Sequence, residues 1–320
     1  MPLSDTLHLR AIRGFHVGGS LQALHGQAVR TLQTVPGLPA RTSDPNGHCA
    51  AGQLYVQHFQ QAHPGSPWPV YLWHGGGMTG CTWELTPDGR PGWHDYFMRQ
   101  GYDTLVSDAV ERGRASWPTQ ALAEAGPPEA RTLEQTWDLF RLGQRQPDGQ
   151  WRAHDGLQFP CEALPQLLKQ FVPRWTAHRE QAIAAYIALL EQTGPGIVIA
   201  HSEGGRLAQA VAQARPELIR ALVLVEPAGG VTLQPGQADA LRAVPVCVVW
   251  GDFFETSPLW RQYRQGCERW LQTLRKAGVR ADVLDLPALG LTGNSHLPMM
   301  DRNSLQVASH VLAWIRQAAA

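Results

Sequence analysis

Ser202 stands at an abrupt change of pattern along the chain. Residues 196–202 form an apolar run typical of a buried strand, and residues 204–213 carry the Ala-rich pattern of an amphipathic helix. The turn matches the small-x-Ser-x-small pattern of a nucleophile elbow, with Ala200 and Gly204 at the small positions. Such a turn strains the serine backbone and exposes its hydroxyl above the sheet. The pattern predicts a nucleophile at Ser202, although a helix N-cap serine fits the same residues.

A serine nucleophile needs a base, and two late histidines are candidates. His296 lies in "LGLTGNSHLPMMD", a Gly-containing loop between the last predicted strand and the last predicted helix. His310 lies within that helix, away from its apolar face, and is expected to face solvent. We therefore predict His296 as the base, with an ordinary polar loop residue as the alternative.

Two carboxylates can orient that base. Glu226 follows the apolar run "ALVLV", and Asp252 follows "VCVVW" one strand later. Both positions are at the carboxyl end of a strand, where chemistry gathers in open parallel sheets. The chain order Ser, acid, His permits either, whereas Asp108 and Glu203 fit that order less well. From the residues alone, Glu226 and Asp252 both remain candidates.

A glycine run provides candidate donors for an oxyanion. "YLWHGGGMTG" places His-Gly-Gly-Gly directly after an apolar strand, and glycines let the main chain approach a substrate closely. We expect the amides of Gly76 and Gly77 on one side and the amide of Glu203 on the other to face a tetrahedral intermediate. A phosphate-binding loop is the competing interpretation, but the run has neither a following lysine nor the G-x-x-x-x-G-K spacing.

Alternating strand and helix patterns must position these residues. They predict an α/β protein with a mostly parallel central sheet and helices on both faces. An antiparallel N-terminal hairpin is expected around Gly18 and Gly19, and "TSDPNG" predicts a later turn. The predicted strands are 53–59, 69–74, 102–108, 196–202, 221–227, 244–252 and 280–287, and the predicted helices are 178–192, 204–213, 260–277 and 303–317.

Residues 112–176 interrupt the alternation. This stretch is rich in Pro and Trp and contains only short helical patterns, which favours a packed cover over a linker. We therefore predict a core of residues 1–111 and 177–320, with residues 112–176 inserted as a cap over the active site; an unstructured loop is the alternative. The tryptophans of the insertion either line an apolar pocket or form the cap's own core: Trp117, Trp137, Trp151 and Trp175.

Composition excludes several classes of protein. Lys plus Arg and Asp plus Glu number 27 each, so no basic face for nucleic acid is indicated. No run of eighteen apolar residues suggests a membrane span. No secretory leader is visible, which predicts a cytoplasmic protein, or a periplasmic or secreted one if a leader was removed. A homodimer is left open. No metal or organic cofactor is expected. The five cysteines lack the spacing of a disulfide framework or a zinc site, although a single pairing is left open: Cys49, Cys81, Cys161, Cys247 and Cys267.

The chain resembles the small bacterial esterases of the α/β-hydrolase superfamily, typified by esterase 713. The similarity extends from "RGFHVGG" to the last helix. This resemblance implies that Ser202 is the nucleophile, His296 the base and Glu226, rather than Asp252, the acid. Members of that group can have adjacent cysteines where this chain has Gly76 and Gly77, so properties of those cysteines do not transfer. The stretches that carry the resemblance are "DPNG", "GQLYVQ", "TWELTPDGRPGW", "YFMRQGYDTLVSD", "ERGRAS", "VEP", "LPALGLTGNSH" and "MMDRNSLQVA".

The residues together predict a serine carboxylic-ester hydrolase that acts on small-molecule esters through an acyl-enzyme intermediate. Two alternatives remain. The same triad can perform acyl transfer, carbon–carbon bond hydrolysis or lyase chemistry, and a hydrolase homologue can bind a ligand without catalysis. The natural substrate is not predicted.

Overall fold

An eight-stranded sheet forms the centre of the protein. The computed structural model describes residues 6–115, 117 and 126–319. The described strands are β1 (Leu9–Leu24), β2 (Arg30–Leu32), β3 (Arg41–Ser43), β4 (Gly47–Gln61), β5 (Val70–Trp73), β6 (Thr104–Asp108), β7 (Gly143–Arg145), β8 (Trp151–Ala153), β9 (Gly196–His201), β10 (Ile219–Val225), β11 (Val246–Trp250) and β12 (Ala281–Asp285). The order of the central sheet is β1-β4-β6-β5-β9-β10-β11-β12, with antiparallel pairing at β1–β4 and β4–β6 and parallel pairing elsewhere. The pairs β2–β3 and β7–β8 form two small separate sheets.

Helices cover both faces of the sheet. Alternating side chains of β5 show this, because Tyr71 and Trp73 pack with the helices Arg179–Thr193 and Ser202–Ala214, while Val70 and Leu72 pack with the helices Trp93–Arg99 and Ser304–Ala318. The predicted mostly parallel sheet with helices on both faces is confirmed. The described helices are α1 (Cys81–Glu84), α2 (Trp93–Arg99), α3 (Leu133–Leu139), α4 (Leu164–Leu168), α5 (Arg179–Thr193), α6 (Ser202–Ala214), α7 (Gln237–Ala240), α8 (Pro258–Lys276) and α9 (Ser304–Ala318).

The N-terminal antiparallel hairpin is present, but its turn is not where the glycines suggested. β1 runs unbroken through Gly18 and Gly19 and pairs along its length with β4. Both glycines have positive φ, of 72° and 73°, and a Cβ at Gly18 would lie 2.9 Å from the backbone of Ala185 on α5. Gly18 therefore allows α5 to pack closely against the strand, whereas a Cβ at Gly19 would lie 2.6 Å from the Ala51 carbonyl oxygen of β4. The "TSDPNG" turn is confirmed, with the Asp44 carboxylate accepting the Asn46 amide at 2.9 Å.

The described part of residues 112–176 packs against the core through its backbone. Gln158 donates its amide to the Gly293 carbonyl and accepts the Arg302 amide, both at 2.8 Å. Residues 116 and 118–125 of the predicted cap lie outside the described part of the chain. Trp137 and Trp175 are each only 5% exposed, and the division into core and cap remains a prediction. Among the described residues, no helix has the length and apolarity needed to cross a membrane.

Candidate active site

Ser202 occupies a strained turn between β9 and α6. Its φ is +53°, in the left-handed region that non-glycine residues rarely adopt. Ala200 is fully buried at the preceding small position, and a Cβ at Gly204 would collide with the carbonyl oxygen of His74. The residues at these positions must therefore be small, because the end of the neighbouring strand β5 lies directly against the turn. This geometry matches the predicted elbow, since the turn displays the serine hydroxyl at the edge of the sheet.

The structure brings the three predicted catalytic side chains together. Nε2 of His296 lies 3.0 Å from Oγ of Ser202, and Nδ1 of His296 lies 3.2 Å from Oε2 of Glu226. His296 is 1% exposed and Glu226 is fully buried. A hydroxyl, an imidazole and a carboxylate thus form a chain of contacts across 94 residues of sequence.

The other carboxylates have different partners. The two oxygens of Asp252 accept the amides of Phe253 at 2.8 Å and Gly293 at 3.0 Å, so this side chain holds the loop before His296 rather than its ring. Asp108 accepts the Gly80 amide and forms an ion pair with Arg114. Glu226 itself has a φ of +51°, which turns its carboxylate back over the sheet edge. Between the two candidate acids, the geometry favours Glu226.

A buried arginine from outside the predicted core holds Glu226. Nη2 of Arg141 donates to Oε1 of Glu226 at 2.9 Å, and the Gly251 amide donates to the same oxygen at 2.5 Å. Burial raises the pKa of Glu226, while Arg141 and the Gly251 amide oppose that rise. Burial also lowers the pKa of His296 well below its ordinary value, and the positive charge of Arg141 adds to this. A neutral imidazole, able to accept a proton, is therefore favoured at neutral pH.

The loop that carries His296 is fixed by a buried polar network. Asp301 accepts the hydroxyl and the amide of Ser295, each at 2.8 Å, and the side-chain amide of Asn294 at 2.9 Å. On the other side, Nε2 of His201 donates to the His296 carbonyl at 2.9 Å. The Trp260 ring packs against the imidazole with 3.9 Å between centroids. These contacts leave the imidazole little freedom to rotate away from Ser202.

The glycine run approaches Ser202 from β5. His74 donates from Nδ1 to the Gly75 carbonyl at 2.8 Å and accepts the Ala109 amide at Nε2 at 3.0 Å, which anchors the turn. Gly77 has a φ of +71°. Neither the Gly76 amide nor the Gly77 amide has a hydrogen-bond acceptor among the described residues. Both amides are thus candidate donors to a substrate, as the sequence predicted.

A side-chain ion pair explains why Gly76 has no side chain. A Cβ at Gly76 would collide with Nη1 of Arg174 and lie 2.8 Å from Oε2 of Glu203. Arg174 and Glu203 form a salt bridge of 3.0 Å across the turn. The Glu203 residue therefore contributes twice, with its amide at the start of α6 as the predicted oxyanion donor and its carboxylate as an anchor for Arg174.

A cavity of about 550 Å³ opens above Ser202. This volume is within the range of small-molecule sites. Its apolar wall includes Met78, Phe140 and Trp260, and its charged groups come from the region between β6 and α5 as well as from the core. Sequence reasoning missed three of the residues around the triad: Phe140, Arg141 and Trp260. No motif surrounds them, so nothing short of their contacts identifies them.

Comparison with known proteins assigns the family. No protein-family model matches the sequence. A fungal protein named "Probable secreted lipase phiG" is 26% identical over 319 residues, covering 82% of this chain and 86% of that protein. A bacterial esterase of known structure is 33% identical and superimposes with a TM-score of 0.84, covering 99% of this chain and 98% of that one. This chain belongs to the esterases of the α/β-hydrolase superfamily.

The esterase is a hydrolase of the carboxylesterase type. The similarity to its bacterial relative covers almost the whole chain, so the predicted α/β-hydrolase fold is confirmed over its full extent.

Proposed function

We propose that this esterase cleaves carboxylic esters through a covalent acyl-enzyme on Ser202, with His296 as the base and Glu226 as the acid that orients it. The single observation that supports this best is the pair of contacts made by the His296 ring, 3.0 Å to Oγ of Ser202 and 3.2 Å to Oε2 of Glu226. Nucleophile, base and orienting group within hydrogen-bond reach define this type of catalysis whatever the fold.

Each step follows from the positions of these groups. Oγ of Ser202 attacks the ester carbonyl while its proton passes to Nε2 of His296. The carbonyl oxygen becomes an oxyanion, which the amides of Gly76, Gly77 and Glu203 stabilise. His296 then returns the proton to the alcohol oxygen as the carbon–oxygen bond breaks. Water, deprotonated by the same imidazole, attacks the acyl-serine. His296 then returns that proton to Oγ of Ser202 as the acyl–oxygen bond breaks and the acid is released.

Glu226 stabilises the imidazolium that forms transiently at each proton transfer. Because Arg141 and the Gly251 amide both donate to its far oxygen, the carboxylate stays in one position. The neutral His296 favoured by burial is the form required at the start of the cycle. No step of this scheme calls for a metal or an organic cofactor.

The test combines turnover with covalent labelling of the purified protein. We expect hydrolysis of 4-nitrophenyl butyrate and a mass increase on Ser202 with a fluorophosphonate probe. Ser202→Ala should lose activity on the order of a millionfold and should not be labelled. The control Ser309→Ala removes an exposed hydroxyl that donates within α9, and should behave as the wild type. An unlabelled wild-type protein, or Ser202→Ala with full activity, would refute the proposal.

The same preparation separates the remaining alternatives. A protein that forms the acyl-serine but releases it faster to an added alcohol than to water is an acyltransferase. A protein that is labelled yet turns over no ester would point to carbon–carbon bond hydrolysis or lyase chemistry. A protein that binds an ester without labelling would be a non-catalytic binder.

The described part of residues 112–176 supports the predicted cap. It contributes Arg131, Phe140 and Arg174 to the wall of the cavity above Ser202. We therefore propose that this segment covers the bound ester and shapes substrate choice.

The fungal relative is named as a secreted lipase, which supports the secreted alternative over the cytoplasmic prediction. The homodimer and the absence of nucleic-acid binding stay predictions.

A further inference from the structure

The guanidinium of Arg131 lies in the cavity wall close to the triad. Its central carbon is 4.9 Å from the ring centroid of Phe140 and 5.3 Å from that of Phe171. It would be 3.9 Å from a Cβ built at Gly77, on the oxyanion turn. The Phe140 ring in turn lies 5.4 Å from the ring of His296. A positive charge is thus placed one aromatic ring away from the base.

Arg131 differs from its neighbour Arg174 in its partners. Arg174 bridges two carboxylates, with contacts of 3.1 Å to Glu129 and 3.0 Å to Glu203. Within residues 6–115, 117 and 126–319, Arg131 has no carboxylate within ion-pair distance, and its guanidinium stacks on the two phenyl rings. Stacking on aromatic faces stabilises a guanidinium but leaves the N–H groups at its edge available.

The carboxylates of the cavity are already engaged. Glu111 pairs with His178 at 2.8 Å, and Asp138 pairs with Arg145 at 2.6 Å. A buried arginine of the cavity wall, Arg112, donates hydrogen bonds only to backbone carbonyls among the described residues. The described part of the cavity wall therefore has more positive than negative charge near Ser202.

Arg131 remains charged under ordinary conditions. Burial, with repulsion from Arg174, lowers its pKa to about 10, so the guanidinium is protonated at neutral pH. A partly desolvated cation attracts an anion more strongly than an exposed one does, because less water screens the pair. A planar guanidinium also matches a carboxylate with two parallel hydrogen bonds.

Resting on the function proposed above, we propose that the preferred substrates are esters with a second, free carboxylate, and that Arg131 binds this carboxylate while Ser202 attacks the ester group. The cavity has room for a short dicarboxylic monoester as well as an aromatic or aliphatic alcohol. The carboxylate can belong to the acid half or to the alcohol half of the ester. Both have the same chemistry at Arg131, and the two substrate pairs below distinguish them.

Two matched pairs of substrates test the proposal. In the first pair, mono-4-nitrophenyl glutarate has a free carboxylate on its acid half, and 4-nitrophenyl pentanoate is its neutral counterpart. In the second pair, 4-acetoxybenzoate has a free carboxylate on its alcohol half, and its methyl ester is the neutral counterpart. We expect kcat/KM to be higher for the charged member of at least one pair, and Arg131→Gln to reduce that charged-to-neutral ratio by about tenfold to a hundredfold.

Two further variants separate recognition from structure. Arg131→Lys keeps the charge without the planar fork and should recover part of the ratio. Arg152→Gln changes an arginine of the same segment whose side chain is 72% exposed, and should keep the wild-type ratio. If Arg131→Gln does not fold, two measurements still test the proposal: the charged-to-neutral ratio of the wild-type enzyme, and the decrease of that ratio in Arg131→Lys.

Two results would overturn the proposal. The first is a wild-type enzyme that prefers the neutral member of both pairs. The second is an Arg131→Gln enzyme that loses activity equally on charged and neutral esters, which would assign Arg131 to the oxyanion or to folding instead. In either case hydrolysis of the neutral esters shows that the proposed esterase function itself stands. Failure of that function would appear as no hydrolysis of any ester.

Discussion

The edge formed by the parallel strands and the segment between β6 and α5 contribute to the same site in different ways. From the strand ends come Ser202 and Glu226, each in a backbone turn with positive φ directly after a strand. The segment contributes Arg141 and Arg131, which act through side-chain contacts with the strand-end residues or the cavity. In the proposed mechanism the strand-end residues perform the chemistry, and the arginines of the segment set the electrostatics around them.

This difference shows that the predicted cap is more than a cover. Arg141 is completely buried, and its guanidinium forms an ion pair with Glu226 of the core, the proposed catalytic acid. The carbonyl of Phe140 accepts the His296 amide at 3.0 Å. Removing the segment as a unit would therefore expose the ester and also leave Glu226 without its cation.

The largest expected effect concerns the two carboxylates at adjacent strand ends. Glu226→Gln should reduce kcat by about ten-thousandfold, because an amide neither holds the required tautomer of His296 nor stabilises its charged form. Asp252→Asn should lose far less, since Asp252 holds only the loop amides of Phe253 and Gly293. Steady-state kinetics on 4-nitrophenyl butyrate measure both. Equal losses in the two variants would mean that the acid has been assigned wrongly.

The next effect compares two arginines of the segment. Arg141→Met leaves Glu226 buried without its partner and should lower the free energy of unfolding by about 3–5 kcal/mol. Arg145→Met breaks the half-exposed pair with Asp138 and should cost less than about 1 kcal/mol. Denaturant unfolding followed by circular dichroism measures the difference. Equal stabilities of the two variants would contradict a supporting role for Arg141.

The same Arg141→Met protein should also change its pH profile. Arg141 lowers the pKa of both Glu226 and His296, so its removal raises both pKa values. More of each group is then protonated at a given pH, and the acidic limb of kcat/KM should move to higher pH. Arg145→Met should leave the profile where it is. If Arg141→Met is less stable but the acidic limb of its kcat/KM profile stays at the wild-type pH, Arg141 contributes to folding alone.

A smaller effect is expected at the oxyanion turn. Gly76→Ala forces Arg174 aside and shifts the amide, and should reduce kcat by about a hundredfold. The control Gly65→Ala adds the same methyl group where the nearest atom is 3.7 Å away and should be neutral. Adding Arg174→Ala to Gly76→Ala should recover part of the activity if the clash is the cause. A fully active Gly76→Ala enzyme would remove this turn from the mechanism.

The smallest effect is a pH dependence of stability from Asp301. Burial raises its pKa to about 7, above the ordinary value of 3.8. The folded state thus retains this proton longer, so its stabilising contribution is complete below 3.8 and is lost as the pH rises to about 7. Measured against Asp301→Asn, the unfolding equilibrium should change by no more than about tenfold per pH unit in that window. A difference in stability between the wild type and Asp301→Asn that does not change with pH would contradict this prediction.

The sequence by itself determined the sheet, the helices and the candidate nucleophile, base and oxyanion turn. Apolar runs and turn residues are local, and a residue's neighbours along the chain decide whether it can form a strand end or a tight bend. Ser202, His296 and Gly76 each lie at such a boundary. Gly18 and Gly19 show the limit of this reasoning, because a glycine that permits a turn equally permits close packing, with α5 at Gly18 and with β4 at Gly19.

Only the tertiary structure decided which carboxylate faces His296 and which arginines surround it. Glu226 and Asp252 have equivalent places at adjacent strand ends, and the resemblance to known esterases preferred Glu226 without giving a contact. The choice is visible once the turn at Glu226 is seen to direct Oε2 towards His296. Arg141 is 85 residues away from Glu226 in sequence, and Arg131 meets the oxyanion turn at Gly77, which is also distant in sequence. Contacts of this kind depend on how distant segments pack, for which no short pattern in the chain exists.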